Sequence, residues 1–224
     1  MSRHLQRDLD KLKKEILQLG NMVETAISNA ILSLNDRRPD LADQVISNEI
    51  HIDNKEVMIE EECLKILALH QPVANDLRLI IAILKINNDL ERIGDLSVNI
   101  AERAVYLSNE ARVDLPFDLQ NMAQKVRSML KRSLDALVNR DDKLARQVCE
   151  DDDAVDDLNR EMYGCVAQAI KKDPDNLNSY IQLLSASRYL ERMADHATNI
   201  AEDVIYLVTG EIIRHGSNSE EAGF

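Results

Sequence analysis

The stretch Leu90–Leu107, LERIGDLSVNIAERAVYL, returns 100 residues later at Leu190–Leu207 as LERMADHATNIAEDVIYL. Ten of the eighteen positions are identical: Leu90/Leu190, Glu91/Glu191, Arg92/Arg192, Asp95/Asp195, Asn99/Asn199, Ile100/Ile200, Ala101/Ala201, Glu102/Glu202, Tyr106/Tyr206 and Leu107/Leu207. A duplication at this offset in a 224-residue chain calls for two similar units of about 100 residues, each near the usual domain size. The expected division is 1–113 for the first repeat and 114–213 for the second, with 214–224 (RHGSNSEEAGF) a disordered tail.

Six Gly, four Pro and no Trp among abundant Leu, Ala, Glu and Arg favour helices. No segment alternates with period two, so no sheet is expected. Pro39, Pro72, Pro116 and Pro174 each follow a break in helical pattern and read as helix openers, because the first turn does not use that amide. Asp173 reads as the N-cap before Pro174, and a further start lies near Asp141. Six helices follow, over about 4–36, 39–70, 73–110, 116–139, 141–172 and 174–212. The first carries Leu5, Leu9, Leu12, Ile16, Leu19, Val23, Ala26 and Ala30 at spacings of three and four, the seam of a packed bundle. The second matches the fifth at an offset of 103, with Ile52-Asp53 against Val155-Asp156. Short connections make successive helices antiparallel neighbours. The fold class is therefore all-α: two tandem, pseudo-symmetric three-helix bundles.

Net charge of −13 and the lack of a basic run argue against direct nucleic-acid binding. Three scattered cysteines, Cys63, Cys149 and Cys165, have no metal-ligand or redox spacing and read as reduced thiols packed as small apolar residues. No secretory signal core and no membrane-length apolar run occur, which points to a soluble, cytoplasmic protein.

Carboxylates stand where a bundle would be expected to carry core. One stripe of the second helix reads Ala42, Ile46, Glu49, Asp53, Glu56, Glu60, Cys63, Leu67, while Asn48, Lys55 and Glu62 read as its solvent face. The third helix groups Glu91, Asp95, Asn99 and Glu102, and the sixth repeats Glu191, Asp195, Asn199 and Glu202. The fifth has Asp152 and Asp156, but Asn159 and Tyr163 replace the counterparts of Glu56 and Glu60. Like charges at i,i+4 cost roughly 0.2–0.5 kcal/mol per pair, so local helix stability does not explain the pattern. Two explanations stand. Basic residues such as Arg78, Lys85, Arg92, Arg103, Arg188 and Arg192 neutralise the acids, or bound cations do. An all-oxygen set suits Mg²⁺, Mn²⁺, Ca²⁺ or iron. His51 points away from the acid stripe, and His196 has no counterpart in the first repeat. No Glu-x-x-His, Gly-rich phosphate loop, G-x-S-x-G or His-Glu-x-x-His occurs, so the expectation is a protein that is not an enzyme.

Ala74-Asn75-Asp76-Leu77-Arg78, Leu84-Lys85-Ile86 and Leu90-Glu91-Arg92-Ile93-Gly94-Asp95 resemble the signature helix of the PhoU family of phosphate-transport accessory and regulatory proteins. The resemblance reaches from the opening helix to about residue 212 and includes the second copy of the motif. It implies two pseudo-symmetric three-helix bundles and a cytoplasmic negative regulator of phosphate uptake and of phosphate-starvation signalling. The implied partners are the ATPase subunit of the phosphate ABC transporter, a phosphate sensor histidine kinase and a second copy in a homodimer. It also implies multinuclear clusters of divalent or trivalent ions (iron, Mn, Mg or Zn). The implied ligands are Glu49, Asp53, Glu91, Asp95 and Glu102, then Asp152, Asp156, Glu191, Asp195 and Glu202. Asn99, Asn199, Glu56 and Glu60 stand as additional polar contacts. The less acidic fifth helix predicts a weaker second site. The alternatives are a carboxylate-bundle metalloprotein or metalloenzyme, and a structural helical interaction protein.

Overall fold

The computed structural model describes residues 3–114 and 117–210, all of them in helices and short connections. Six α-helices succeed one another: α1 (Arg3–Asp36), α2 (Pro39–His70), α3 (Ala74–Ser108), α4 (Leu119–Asn139), α5 (Asp142–Lys172) and α6 (Leu177–Thr209). α1, α2 and α3 pack as one three-helix unit and α4, α5 and α6 as another. α3 and α6 lie against each other at the centre, with α1 also touching α4. Paired side chains run in opposite order along the two central helices (Lys85 with Asp203, Asp89 with His196, Arg103 with Gln182), so α3 and α6 are antiparallel.

The three-four spacing of α1 is realised in full, since every one of its eight seam residues is buried. In α3 the line Ile86, Leu90, Ile93, Ile100 and Leu107 is buried, and Leu190, Ile200 and Leu207 match it in α6. One continuous apolar core takes side chains from all six helices. A smaller cluster of Met162, Val166, Ala169 and Tyr180 closes the α5–α6 end. Ile81 lies on the rim of a groove between α3 and α6 and is exposed.

The helix starts sort by chemistry. Pro39 sits in the first turn of α2 as expected. Pro72 stands two residues ahead of α3, in the turn. Asp118 and Asp141 cap α4 and α5, each accepting hydrogen bonds from first-turn amides. Asp173 does not cap. Its Oδ2 accepts from Asn176 Nδ2 at 2.8 Å and from the Tyr180 hydroxyl at 3.3 Å, and Pro174 opens a single 3₁₀ turn ahead of α6. α6 ends at Gly210, which takes the left-handed φ of 79° of a helix C-cap. The roles expected of Pro116, of residues 211–212 and of the 214–224 tail lie outside the described residues.

Candidate functional site

The acid stripe of α2 flanks the core rather than entering it. The buried line is Ala42, Val45, Ile52, Ile59, Cys63 and Ile66. Glu49, Asp53 and Glu56 sit half-buried one step round the helix, and Glu60 is exposed. Lys55 and Glu62 are corrected by the fold. They lie against α1 rather than in open solvent: Lys55 pairs with Glu15 and reaches Gln18 at 2.8 Å, while Glu62 meets Lys11 at 3.6 Å. His51 is exposed on the α1 side of α2, away from the acids.

α2 and α3 pack so closely that Gly94 touches Ile52. A Cβ on Gly94 would meet the Ile52 side chain at 3.2 Å. This approach brings the two acid rows together. Oxygen atoms of Asp53, Glu91 and Asp95 lie within 4.8 Å of one another. Glu49 and Glu102 belong to the same field. Burial first, and then Asp53, Asp95 and Glu102, raise the pKa of Glu49. Burial and Asp95 raise that of Glu91, with Arg92 opposing. Glu56 is raised by burial, Glu60 and Asp53. Its main-chain oxygen and Oε1 both accept from the amide of buried Asn87.

The neutralising arginines are present but peripheral. Arg92, itself well exposed, lies 3.4 Å from Glu91 and 3.3 Å from Asp95, and Arg103 lies 3.1 Å from Glu102. Lys85 points elsewhere, to Asp203 at 3.1 Å, and Arg78 to Asn75. Burial is the leading cause of the raised pKa values of Glu49, Glu56 and Glu91, and neighbouring carboxylates add to it.

The second repeat builds the same arrangement with different details. Asp152 is pushed up to about 6 by burial, then by Asp195 and Asp156, with the Thr198 hydroxyl tempering the rise. Even so, Asp152 Oδ1 and Thr198 Oγ1 are buried without a hydrogen-bond partner of good geometry. Glu191 is raised by burial and Asp156, against Arg188 and Arg192. Asp195 keeps an edge in solvent, yet packing around its carboxyl, Glu191 and Asp156 raise it too. Glu202 and Asp152 both act on Cys149, whose thiol is pushed up to about 11 mainly by burial. Asn159 accepts from Ser187 Oγ at 2.8 Å, the counterpart of the Glu56–Asn87 contact. Tyr163 is exposed. Among the described residues, the second repeat holds no three acids as close as Asp53, Glu91 and Asp95.

Asn99 is half-buried beside the first acid row. Asn199 and Glu202 line a groove of about 500 Å³ between α3 and α6, together with Lys85, Asn88, Asp89 and Asp203. This groove and the Asp89–His196 contact, 2.8 Å between Oδ1 and Nδ1, were not legible in the periodicity. Neither were Asn87 and Ser187. Only a polar residue on an otherwise apolar face signalled them.

Chemically, three convergent carboxylates offer an all-oxygen, multiply negative set. That donor chemistry fits a hard cation, which would relieve the repulsion that raises the neighbouring acids. No helix among the described residues is long and apolar enough to cross a membrane.

The PhoU domain pattern matches residues 16–104 and again 119–204. A "Phosphate-specific transport system accessory protein PhoU homolog" of Clostridium acetobutylicum is 38% identical over 205 residues, covering 91% of this chain and 94% of that protein. One from Aquifex aeolicus is also 38% identical, over 93% of this chain and 95% of its own. The crystal structure of PhoU from Pseudomonas aeruginosa superposes with a TM-score of 0.87 at 37% identity, covering 92% of this chain and 99% of that one. The phosphate transport system regulatory protein PhoU from Streptococcus pneumoniae does so with a TM-score of 0.83 at 30% identity, over 93% and 98%. Two repeats matched in sequence and an overall fold matched in three dimensions place this chain in the PhoU family.

Proposed function

We propose that this protein is a non-enzymatic, cytoplasmic regulator of phosphate homeostasis that acts as an accessory to a phosphate ABC transporter. The observation that carries the reading is the match of both repeats, over nearly the whole chain, to proteins named as phosphate-specific transport accessory proteins. In this reading the protein lowers phosphate uptake and phosphate-starvation signalling by linking the transporter's ATPase subunit to a sensor histidine kinase, and works as a homodimer. Residues 1–113 and 114–213 are its two repeats. Deleting the gene should release a phosphate-repressible phosphatase in high phosphate, and continued repression would sink the proposal. Pulldown of the purified ATPase subunit and of the kinase's cytoplasmic domain tests the two partners separately.

The same reading assigns metal binding to the two acid rows. Glu49, Asp53, Glu91, Asp95 and Glu102 hold the first site, and Asp152, Asp156, Glu191, Asp195 and Glu202 the second. Support for the first comes from the convergence of Asp53, Glu91 and Asp95. Support for the second comes from the orphaned Oδ1 of Asp152. A bound ion would supply positive charge that draws α2 toward α3 and α5 toward α6. The protein's own part is to hold Glu49, Asp53, Glu91 and Asp95, and Asp152, Asp156 and Glu191, half-buried, where water screens them less than at an open surface.

A further inference from the structure

α2 carries three large apolar side chains in open solvent at heptad intervals. Ile50 is 55% exposed, Val57 49% and Leu64 54%. At 1.5 Å per residue they span about 21 Å on one side of the helix, drifting about 20° per heptad. They do not belong to the core line, which runs on the opposite face through Ile52, Ile59 and Ile66.

The second repeat acts as an internal control. α5 occupies the equivalent place and keeps the equivalent buried residues Val155, Met162 and Ala169. At the three positions matching Ile50, Val57 and Leu64 it carries Asp153, Arg160 and Ala167, all exposed. The fold therefore does not require apolar residues there. Exposed apolar side chains in a row mark contact surfaces.

Charge selects the occupant. α2 holds eight acids and two lysines. Lys55 is turned to α1, and Lys65 is paired with Glu62 at 3.4 Å. Exposed Glu60 follows Val57 by three residues and exposed Glu61 by four, so an acid lies on each edge of the stripe. A second copy docking α2 against α2 would set acid row beside acid row. We propose that the Ile50–Val57–Leu64 stripe docks an amphipathic helix of another protein, one with apolar residues at heptad spacing and Lys or Arg along its edge. The inference goes beyond the regulatory reading and does not depend on it. A failed gene-deletion phenotype leaves this surface intact, and a failed peptide titration leaves the regulatory reading intact.

The test is fluorescence anisotropy with the full-length protein and two synthetic four-heptad helical peptides. Both carry Leu and Ile at the seam, one with Lys/Arg edges and the other with Glu edges. The basic-edged peptide should bind saturably, and the acidic-edged one at least tenfold more weakly. The triple variant Ile50→Asp, Val57→Arg, Leu64→Ala copies the α5 surface, and it should lose at least tenfold in affinity while melting within a few degrees of the parent. Val57→Arg alone serves if the triple variant misfolds. Failure of the basic-edged peptide to bind, equal binding of both peptides, or unchanged binding by the variants would overturn the proposal. So would sedimentation showing a parent dimer that the triple variant turns into a monomer, since that assigns the stripe to a second copy.

Discussion

At the scale of single residues, burial and neighbouring carboxylates hold Glu49, Glu91, Asp152, Glu191 and Asp195 against their charge. Asp152 is the strongest case. Its pKa near 6 exceeds the ordinary 3.8, so the folded protein binds that proton more tightly than the unfolded chain. Stability from this group is therefore greatest below about pH 4, falls as pH rises from about 4 to 6, and stays low above. In chelator-treated, metal-free protein, Asp152→Asn should match the parent near pH 4 and exceed it by on the order of 1–2 kcal/mol at pH 7, a figure reduced for the carboxyl's partial exposure. Urea midpoints measured across that range check it, and a variant less stable than the parent at pH 7 would contradict it. For the first site the expected outcome concerns metal. Protein purified without chelator should carry ions that Glu91→Ala/Asp95→Ala loses, while the equivalent second-site double variant, Glu191→Ala/Asp195→Ala, loses a smaller, weaker fraction. Near-zero metal in parent and variant alike rules the site out. The candidate acids were legible at this scale because charge repeated at i,i+4 is conspicuous. Their partners Asn87, Ser187 and Thr198 were not, because one polar residue on an apolar helix face has no period.

At the scale of elements, helix existence followed from apolar spacing and helix starts did not follow from proline alone. Pro39 opens its helix, whereas Pro174 yields a 3₁₀ turn and leaves Asp173 bonded to Asn176 and Tyr180. Proline only fixes φ and removes a donor. Which residue then caps depends on the amides within reach. Asp141 does cap, its Oδ1 accepting from the amides of Lys143 and Leu144 at 3.1 and 3.0 Å. Asp141→Ala should cost about 1 kcal/mol of stability, read from the denaturation midpoint with an unchanged slope. Ile93 tests the other half of the element argument. It is fully buried in α3, and Ile93→Ala should cost about 2–5 kcal/mol through lost contact and a residual cavity.

At the scale of the whole molecule, the two repeats share one apolar core and a central α3–α6 contact fastened by Asp89–His196 and Lys85–Asp203. Such halves should not unfold independently. Urea unfolding followed by helix content and by a dye-labelled cysteine at the exposed α5 position Ala167 should give coincident curves, and two separated transitions would show the repeats to be autonomous. The duplication, the six helices, the buried seams and the membership of the acid rows are legible in the chain, because these are periodic and local. Tertiary structure alone decided three things: the antiparallel pairing of α3 with α6, the meeting of Asp53 with Glu91 and Asp95, and the exposure of Ile50, Val57 and Leu64. Each depends on how far apart two helix axes settle and how each helix is rotated, and packing across the chain sets both. The Leu90–Leu107 repeat names one acid row of each half, and the closeness of Gly94 to Ile52 is what brings Asp53 of α2 beside Glu91 and Asp95 of α3.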